Sequence, residues 1–295
     1  MFRILIIGAT GVLGSAASRY LLENDFYVTA FVRNRAKALD LEKAGANIIV
    51  GDLTNSDSIT RACNGVDVII TAAHGMMSIG KNKSKNVDDV GHQNLIKAAV
   101  TAKVKHFIYT SLNGASKFHP VDFYRTKFKI EQCLIHSGLC YTILALPAFM
   151  EWHVHNLLGK SILQKSKAII LGSGKNPTNF ISVQDIVRVL KVIANNEAYF
   201  NKTITIGGPE NLSRNEIVAL YGRLLHIKPR VTHIPDLLLN FLSKLIQPFH
   251  PGIGRIIKLS VYSEKSNAIM DPADSIQQFG LQPTTVEEFV KKQLA

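Results

Sequence analysis

The 295-residue sequence has few cysteines, no long apolar run and no acidic excess. Its three cysteines, Cys63, Cys133 and Cys140, are odd in number and form no C-x-x-C pair, which excludes a disulfide framework. Thiols of this kind behave as small core residues in a reducing compartment, so the expected location is the cytoplasm. No uninterrupted apolar stretch approaches the roughly 20 residues of a membrane-spanning helix, and no transmembrane segment is expected. Internal repeats, low-complexity tracts and a basic tail are also missing. Acidic residues number 22 against 34 lysines and arginines, a formal charge of +12. Concentrated in one place, such an excess would point to nucleic acid or an anionic membrane. It is spread evenly instead: the stretches before and after residue 150 each hold 17 basic and 11 acidic residues. No nucleic-acid partner is expected.

What is present is apolar material, 46% of the chain, enough to exclude a wholly disordered protein. Through residue 150, short β-rich runs alternate with helical patterns. Strands are expected at 2–7, 27–32, 47–50, 66–72, 106–110 and 140–146. Helices are expected at 12–24, 36–44, 56–63, 87–102 and 123–136. The strand runs are continuously apolar, as when helices cover both faces of a parallel sheet. The predicted fold is therefore α/β, a Rossmann doubly wound parallel sheet with helices on both faces. Beyond Pro147 the pattern loosens. Helices are expected at 183–195, 213–225, 237–246 and 286–294, with a strand at 203–206. Lys81–Asn86 reads as a polar, basic loop. Arg3, the apolar run Ile4–Leu13 and the small residues Gly14–Ala17 mimic a signal peptide. Cleavage there would remove a strand and a glycine loop that the rest of the pattern requires, so a signal peptide is not the reading taken.

That loop, Gly8-Ala9-Thr10-Gly11-Val12-Leu13-Gly14, is the most informative segment. A G-x-x-G-x-x-G spacing between a strand and a helix gives a tight turn at Gly8. It gives close backbone approach to a pyrophosphate at Gly11, and close helix-on-strand packing at Gly14. The helix start adds free N–H groups and a positive dipole end. Nucleotide binding is expected, with Thr10, Val12 and Leu13 completing the loop. At the tip of the second strand, NAD-binding proteins carry an acid for the ribose hydroxyls. Here the residues are Arg33-Asn34-Arg35. A guanidinium suits a 2′-phosphate, so NADP(H) is the preferred cofactor, with NAD(H) the alternative. Asp52 and Leu53 are placed to meet the adenine, and the small Ala72 and Ala73 to lie against the cofactor.

Together these segments resemble the short-chain dehydrogenase/reductase superfamily, and within it the atypical NmrA-like branch. The resemblance rests on Gly8–Gly14, Phe31–Arg33, Gly51–Leu53, Lys129–Leu144, Ile181–Val187 and Thr205–Pro209 with Leu212-Ser213. It implies a Rossmann core over 1–150 and a smaller C-terminal α+β substrate region over 151–295, from which about 178–206 returns to the core. It also implies an NAD(P)H-dependent reductase acting on a quinone-like or other small apolar electrophile. The alternative is a non-catalytic redox sensor or assembly factor. The chain departs from the superfamily at Y-x-x-x-K: the lysine position matches Lys127, but the tyrosine position is Phe123. Tyr124 comes one residue late, about 100° around the helix. Catalytic candidates are thus Lys127, Ser111 and Tyr124. Lys127 would hold the nicotinamide ribose or act as an acid/base; Ser111 either faces substrate or caps a turn. By family position Pro147 and Phe149 would run beside the nicotinamide, and Phe149, Met150 and Trp152 would wall an apolar pocket.

Three other features carry weaker readings. His74, after the fourth strand, is a cofactor-contact candidate at the sheet edge where ligands bind. His153 and His155 would share a face only on a strand, and no metal site is expected. The segment 237–259, with Lys244, Arg255 and Lys258, is read as a cover for the cleft in preference to a membrane-surface element. Peripheral membrane contact is accordingly not expected, and the oligomeric state is read as monomer or homodimer.

Overall fold

The computed structural model describes residues 2–266, 268–271, 276 and 279–295. The chain divides into two compact units, one made of residues 1–145 and 186–205, the other of 146–185 and 206–295. The first begins β1 (Arg3–Ile7), α1 (Val12–Leu22), β2 (Tyr27–Val32), α2 (Leu39–Lys43), β3 (Asn47–Val50) and α3 (Ser56–Cys63). It continues β4 (Val68–Thr71), α4 (His92–Thr101), β5 (His106–Leu112), α5 (Asp122–Ile135) and β6 (Tyr141–Leu146). The second unit takes up with β7 (Ala148–Phe149), α6 (Lys160–Lys165), β8 (Lys167–Leu171) and β9 (Thr178–Ile181). Helix α7 (Val183–Ala194) leads back into the first unit, which ends with β10 (Lys202–Thr205). The second unit closes with β11 (Asn211–Leu212), α8 (Arg214–Leu225), β12 (Arg230–Ile234), α9 (Asp236–Ile246), α10 (Pro251–Ser263) and α11 (Val286–Leu294).

The first unit is a seven-stranded parallel sheet in the order β10-β6-β5-β4-β1-β2-β3. The chain winds outward from β1 to β3, then crosses back to β4 on the other side of β1. This makes the carboxyl edge between β1 and β4 the switch point at which open α/β sheets bind ligands. Both sheet faces are apolar because successive side chains point to opposite sides. Leu5, Ile7, Ile69, Phe107 and Tyr109 pack into one core with Ile59, Leu95 and Ile130 of α3, α4 and α5. The intervening Ile4, Ile6, Ile70 and Ile108 are also fully buried. Helix α1 buries Leu13, Gly14, Ala17, Ser18 and Leu21, small residues alternating with large ones, which lets it lie close to β1 and β2.

The strands at 27–32 and 47–50 and the helices at 56–63 and 286–294 fall where the patterns predict. The helix expected over 87–102 is divided: residues Lys85–Gly91 wind as a π-helix before α4. The helix expected over 36–44 is a 3₁₀ turn at Arg35–Ala38 followed by α2, because Asn34 Oδ1 accepts from Ala36 N at 2.9 Å. The polar segment 81–86 is tied down in part: Ser84 is buried and bonds Asp88.

In the second unit, Met150, Val154, Leu158, Phe180, Ile217, Tyr221 and Phe289 form the core. Asp185 accepts the Thr284 N–H and hydroxyl, both at 2.8 Å. Its short strands β7, β8, β9, β11 and β12 lie outside the sequence expectations, being only two to five residues long. Helix α10 is also new. Pro251, Gly252 and Gly254 read as breakers, but Pro251 occupies the first turn, His250 Nδ1 caps Ile253 N at 3.2 Å, and both glycines are buried. The apolar segment 237–246 forms α9, yet Leu237, Phe241 and Leu245 stay exposed.

Two buried histidines set an acid limit on the first unit. His92 donates through Nδ1 to the Val87 carbonyl at 2.8 Å, leaving Nε2 to accept from Thr71 Oγ1 at 3.0 Å. Thr142 Oγ1 donates to the Tyr199 carbonyl at 2.8 Å, so it accepts from His106 Nε2 at 2.8 Å. Burial holds both rings at a pKa of about 4, below the usual 6.5. The unfolded chain takes up these protons first. Stability present above pH 6.5 is therefore lost as pH falls through about 4, each ring costing about 2 kcal/mol by pH 5. Urea midpoints of wild type and His106→Gln at pH 7 and pH 5 check this. The variant should lose markedly less on acidification, and equal losses would contradict the assignment.

Candidate functional site

The switch point is built from backbone. Gly8 has φ +84°, and a Cβ there would lie 2.7 Å from the Ala73 nitrogen, next to β4. At Gly14 a Cβ would lie 2.2 Å from the Gly8 carbonyl oxygen. Both approaches are to backbone, which cannot rotate away, so both glycines are required for α1 to start where it does. Gly11 differs. Its nearest neighbour would be the same oxygen at 3.3 Å, a tight contact but not an overlap, and Gly11 is exposed, so the space above the turn is open to solvent. Gly11 caps α1 without any side-chain hydrogen bond, and no acid lies in the first turn. The free N–H groups of an eleven-residue helix thus face that space. Thr10, Gly11 and Val12 are exposed, whereas the Leu13 side chain is in the core.

The two arginines at the β2 tip behave differently. Arg35 donates through Nε to Glu42 Oε2 at 3.2 Å and pairs with the same carboxylate through its terminal nitrogen. Arg33 is exposed and has no hydrogen-bond or ion-pair partner among the described residues. Asn34 is committed to its turn. Asp52 closes a loop by accepting the Thr54 N–H and hydroxyl, both at 2.9 Å, and Leu53 is buried. Ala72 and Ala73 are half-buried at the end of β4. His74 is exposed and meets the Phe123 ring edge-on at 6.2 Å.

Lys127 is the unusual group. It is only 5% exposed. Its Nζ donates to the Thr110 carbonyl at 2.9 Å and sits 4.7 Å from the Tyr109 ring centroid and 5.8 Å from that of Phe123. Thr110 in turn donates to the Thr71 carbonyl at 2.8 Å, which fastens the ends of β4 and β5. The other two ammonium N–H groups have no acceptor among the described residues. Buried donors left unpaired are costly and rare in a purely structural setting. Burial lowers the Lys127 pKa to about 8, and the carboxylates of Asp88 and Glu131 oppose that shift.

Sequence reasoning missed these two acids. Asp88 is fully buried and accepts from Gly75 N at 2.9 Å and Ser84 Oγ at 2.5 Å. Its signal was only an acid inside a helical pattern. Glu131 accepts the Ser111 hydroxyl, and burial raises its pKa. Ser111 therefore caps a side chain on α5 and not a turn. Phe123 is buried, and Tyr124 stacks on His119 with centroids 4.0 Å apart. Pro147, Phe149, Met150 and Trp152 belong to the second unit. There Phe149 is half-buried, Trp152 is exposed, and Met150 is enclosed in the core. Among the described residues, no group of three or more potential ligands is gathered for a metal, and no helix is long and apolar enough to cross a membrane.

Comparison with known proteins places this geometry. The NmrA-like family model matches residues 2–290. A photosystem II assembly factor of Synechocystis sp. is 26% identical over 298 residues, covering 98% of this chain and 90% of the relative. An NAD(P)H azoreductase of Xenophilus azovorans is 30% identical over 219 residues, covering 73% of this chain and 71% of the relative. Among solved structures, Citrobacter sp. triphenylmethane reductase superposes with a TM-score of 0.81 at 22% identity, covering 99% of both chains. An Escherichia coli NADPH-dependent quinone oxidoreductase, complexed with NADPH, gives 0.78 at 21% identity, covering 99% of this chain and all of the other.

The charge balance around Lys127 can be titrated. Competitive amine labelling read by mass spectrometry should give Lys127 a midpoint near pH 8, about two units below the surface lysines. Asp88→Asn removes a charge that favours the ammonium, so the midpoint should fall further. An unchanged or raised midpoint in that variant would overturn the assignment.

Proposed function

The chain belongs to the NmrA-like family, and from that premise we propose that it binds NADPH and reduces a small quinone-like or otherwise apolar electrophile. The carrying observation is Lys127, a nearly buried ammonium at the carboxyl edge with two donors unpaired among the described residues, bonded to the strand two places from the one that runs into the glycine turn. The site fits a dinucleotide on independent grounds. The α1 start has no side-chain cap, Gly11 is exposed beside it, and Arg33 has no partner among the described residues. Bound there, the dihydronicotinamide supplies a hydride to the acceptor.

The chain's own residues have distinct roles. The N–H groups at the start of α1 hold the pyrophosphate. Arg33 pairs with the 2′-phosphate, and Arg35, already tied to Glu42, adds background charge. Asp52 and Leu53 border the adenine, and Ala72, Ala73 and His74 line the path of the cofactor. Lys127 donates its free N–H groups to ribose hydroxyls and keeps positive charge beside the reacting centre. With a pKa near 8 it is mostly protonated at neutral pH. A quinone that accepts hydride becomes a stabilised aromatic oxyanion. Its proton comes from water or from Lys127 Nζ. That acceptor needs less acid assistance than a simple ketone, which suits Phe123 in place of a phenol. Ser111 and Tyr124 are proposed as neighbours of the acceptor and nicotinamide.

Phe123 also favours a second reading, in which NADP(H) occupancy changes affinity for a partner without turnover. The assembly-factor relatives that align with nearly the whole chain support it. The discriminating measurement is NADPH oxidation against menadione, a benzoquinone and an azo dye. Reduction of at least one, lowered about tenfold or more by Lys127→Met, supports the enzyme. Tight NADPH binding without turnover, together with cofactor-dependent partner capture, replaces it with the second reading.

Cofactor choice is tested separately by calorimetry. Arg33→Glu should weaken NADPH at least tenfold and leave NADH nearly unchanged, because only NADPH carries the 2′-phosphate. Equal effects on both would overturn the role of Arg33. Gly11→Ala should weaken both cofactors about tenfold and keep the fold, since the 3.3 Å approach of its Cβ to the Gly8 carbonyl oxygen needs only a small local shift. Unchanged affinities would remove the pyrophosphate from the space above Gly11.

A further inference from the structure

Helices α9 and α10 form a hairpin in the second unit whose outer surface has unusual chemistry. Leu237 is 86% exposed, Phe241 64%, Leu245 57% and Leu238 48%. At about 100° per residue these four fall within an arc of roughly 100° on α9. The opposite side of the helix carries the buried Leu239 and Ser243. The helix therefore has two non-polar faces. One is packed and the other faces solvent. The next turn, Gln247–His250, continues the exposed surface with Phe249 at 83%. Isolated apolar residues are ordinary on protein surfaces, but a contiguous stripe of this kind marks an interaction site.

Charge indicates what covers it. From Leu237 to Ser263 there is no Asp or Glu, while Lys244, Arg255 and Lys258 fall within the segment. Acids reappear immediately outside, at Asp236 and Glu264. Lys244 borders the apolar arc on α9, and Lys244 and Lys258 are both exposed. A second copy of this chain is a poor occupant. Symmetric pairing would bring the same lysine-bearing surfaces together, with no acid in the segment to answer them. A leucine- and phenylalanine-rich face bordered by lysine, with no acid, matches the surface of an anionic bilayer. There the apolar side chains enter the acyl boundary and the ammonium groups meet lipid phosphates. No described helix can span a bilayer, so contact would be at the surface only.

We propose that the α9–α10 hairpin seats this protein on the surface of an anionic lipid membrane through Leu237, Phe241, Leu245 and Phe249, with Lys244 and Lys258 facing the headgroups. This assignment is independent of the cofactor site and replaces the cover expected from the sequence.

The test is flotation of the full chain with phosphatidylcholine vesicles, with and without about one third phosphatidylglycerol. Binding to the anionic vesicles should be at least tenfold tighter than to the neutral ones. Phe241→Ser/Phe249→Ser, both at exposed positions, should reduce it tenfold or more with an unchanged circular dichroism spectrum. Lys244→Glu/Lys258→Glu should abolish the preference for phosphatidylglycerol. Absence of binding to either vesicle overturns the proposal. So does insensitivity to both variants. A monomer–dimer equilibrium by sedimentation that disappears in the phenylalanine variant, without vesicle binding, assigns the surface to a second copy instead.

Discussion

The closest backbone approach in the first unit governs both its architecture and its chemistry. Residues 8 and 14 lie where β1 turns into α1 beneath the end of β4, with room for hydrogen but not for carbon. This contact sets the start of α1, and the start of α1 aims its unpaired N–H groups into the edge between β1 and β4. The parallel sheet order makes that edge a cleft. At Gly11 the approach is looser, 3.3 Å to the Gly8 carbonyl oxygen, so this glycine is under less packing demand than the other two.

Lys127 depends on the same edge. Its ammonium is anchored to the Thr110 carbonyl, and Thr110 is itself bonded to Thr71 on β4. Neighbouring strand ends therefore hold the lysine, its donors and the glycine turn in one frame. Burial works against the charge while Asp88 and Glu131 favour it, and the result is a group poised near neutrality. Asp88 can do this because the chain before α4 winds as a π-helix and the Gly75 N–H and Ser84 hydroxyl satisfy its oxygens. Phe123 gives the ammonium an aromatic face, with its ring centroid 5.8 Å from Nζ, and carries no titratable group.

The second unit obeys a different logic. Its core is ordinary, with Met150, Phe180, Tyr221 and Phe289 packed together, but α9 turns leucine and phenylalanine outward. The even distribution of the +12 charge along the chain hid this. A count over half the sequence does not detect a 27-residue stretch without a single acid. Part of the basic excess is local: Arg33 is exposed at the β2 tip, and Lys244 and Lys258 are exposed on the hairpin.

The sequence by itself determined the doubly wound sheet, the glycine turn and the candidacy of Lys127. These are local matters: apolar runs of strand length, glycine spacing and a lysine four residues after an aromatic are all contained in short windows. The short strands of the second unit and helix α10 were not legible in this way. The short strands form only through partners distant in the chain, as β12 does on β8, and α10 forms because a His250 cap and packing against α9 override its proline and glycines. Which arginine stays free was likewise undecided, because Arg35 is withdrawn by Glu42, seven residues on. Only the tertiary structure brought Asp88 and Glu131 to the side of Lys127 and buried the lysine and Asp88, and only burial turns a common lysine into one with a shifted pKa. It also showed which apolar faces had found a partner: packing is a relation between distant segments, and the outward leucines of α9 look the same in the sequence as the inward ones.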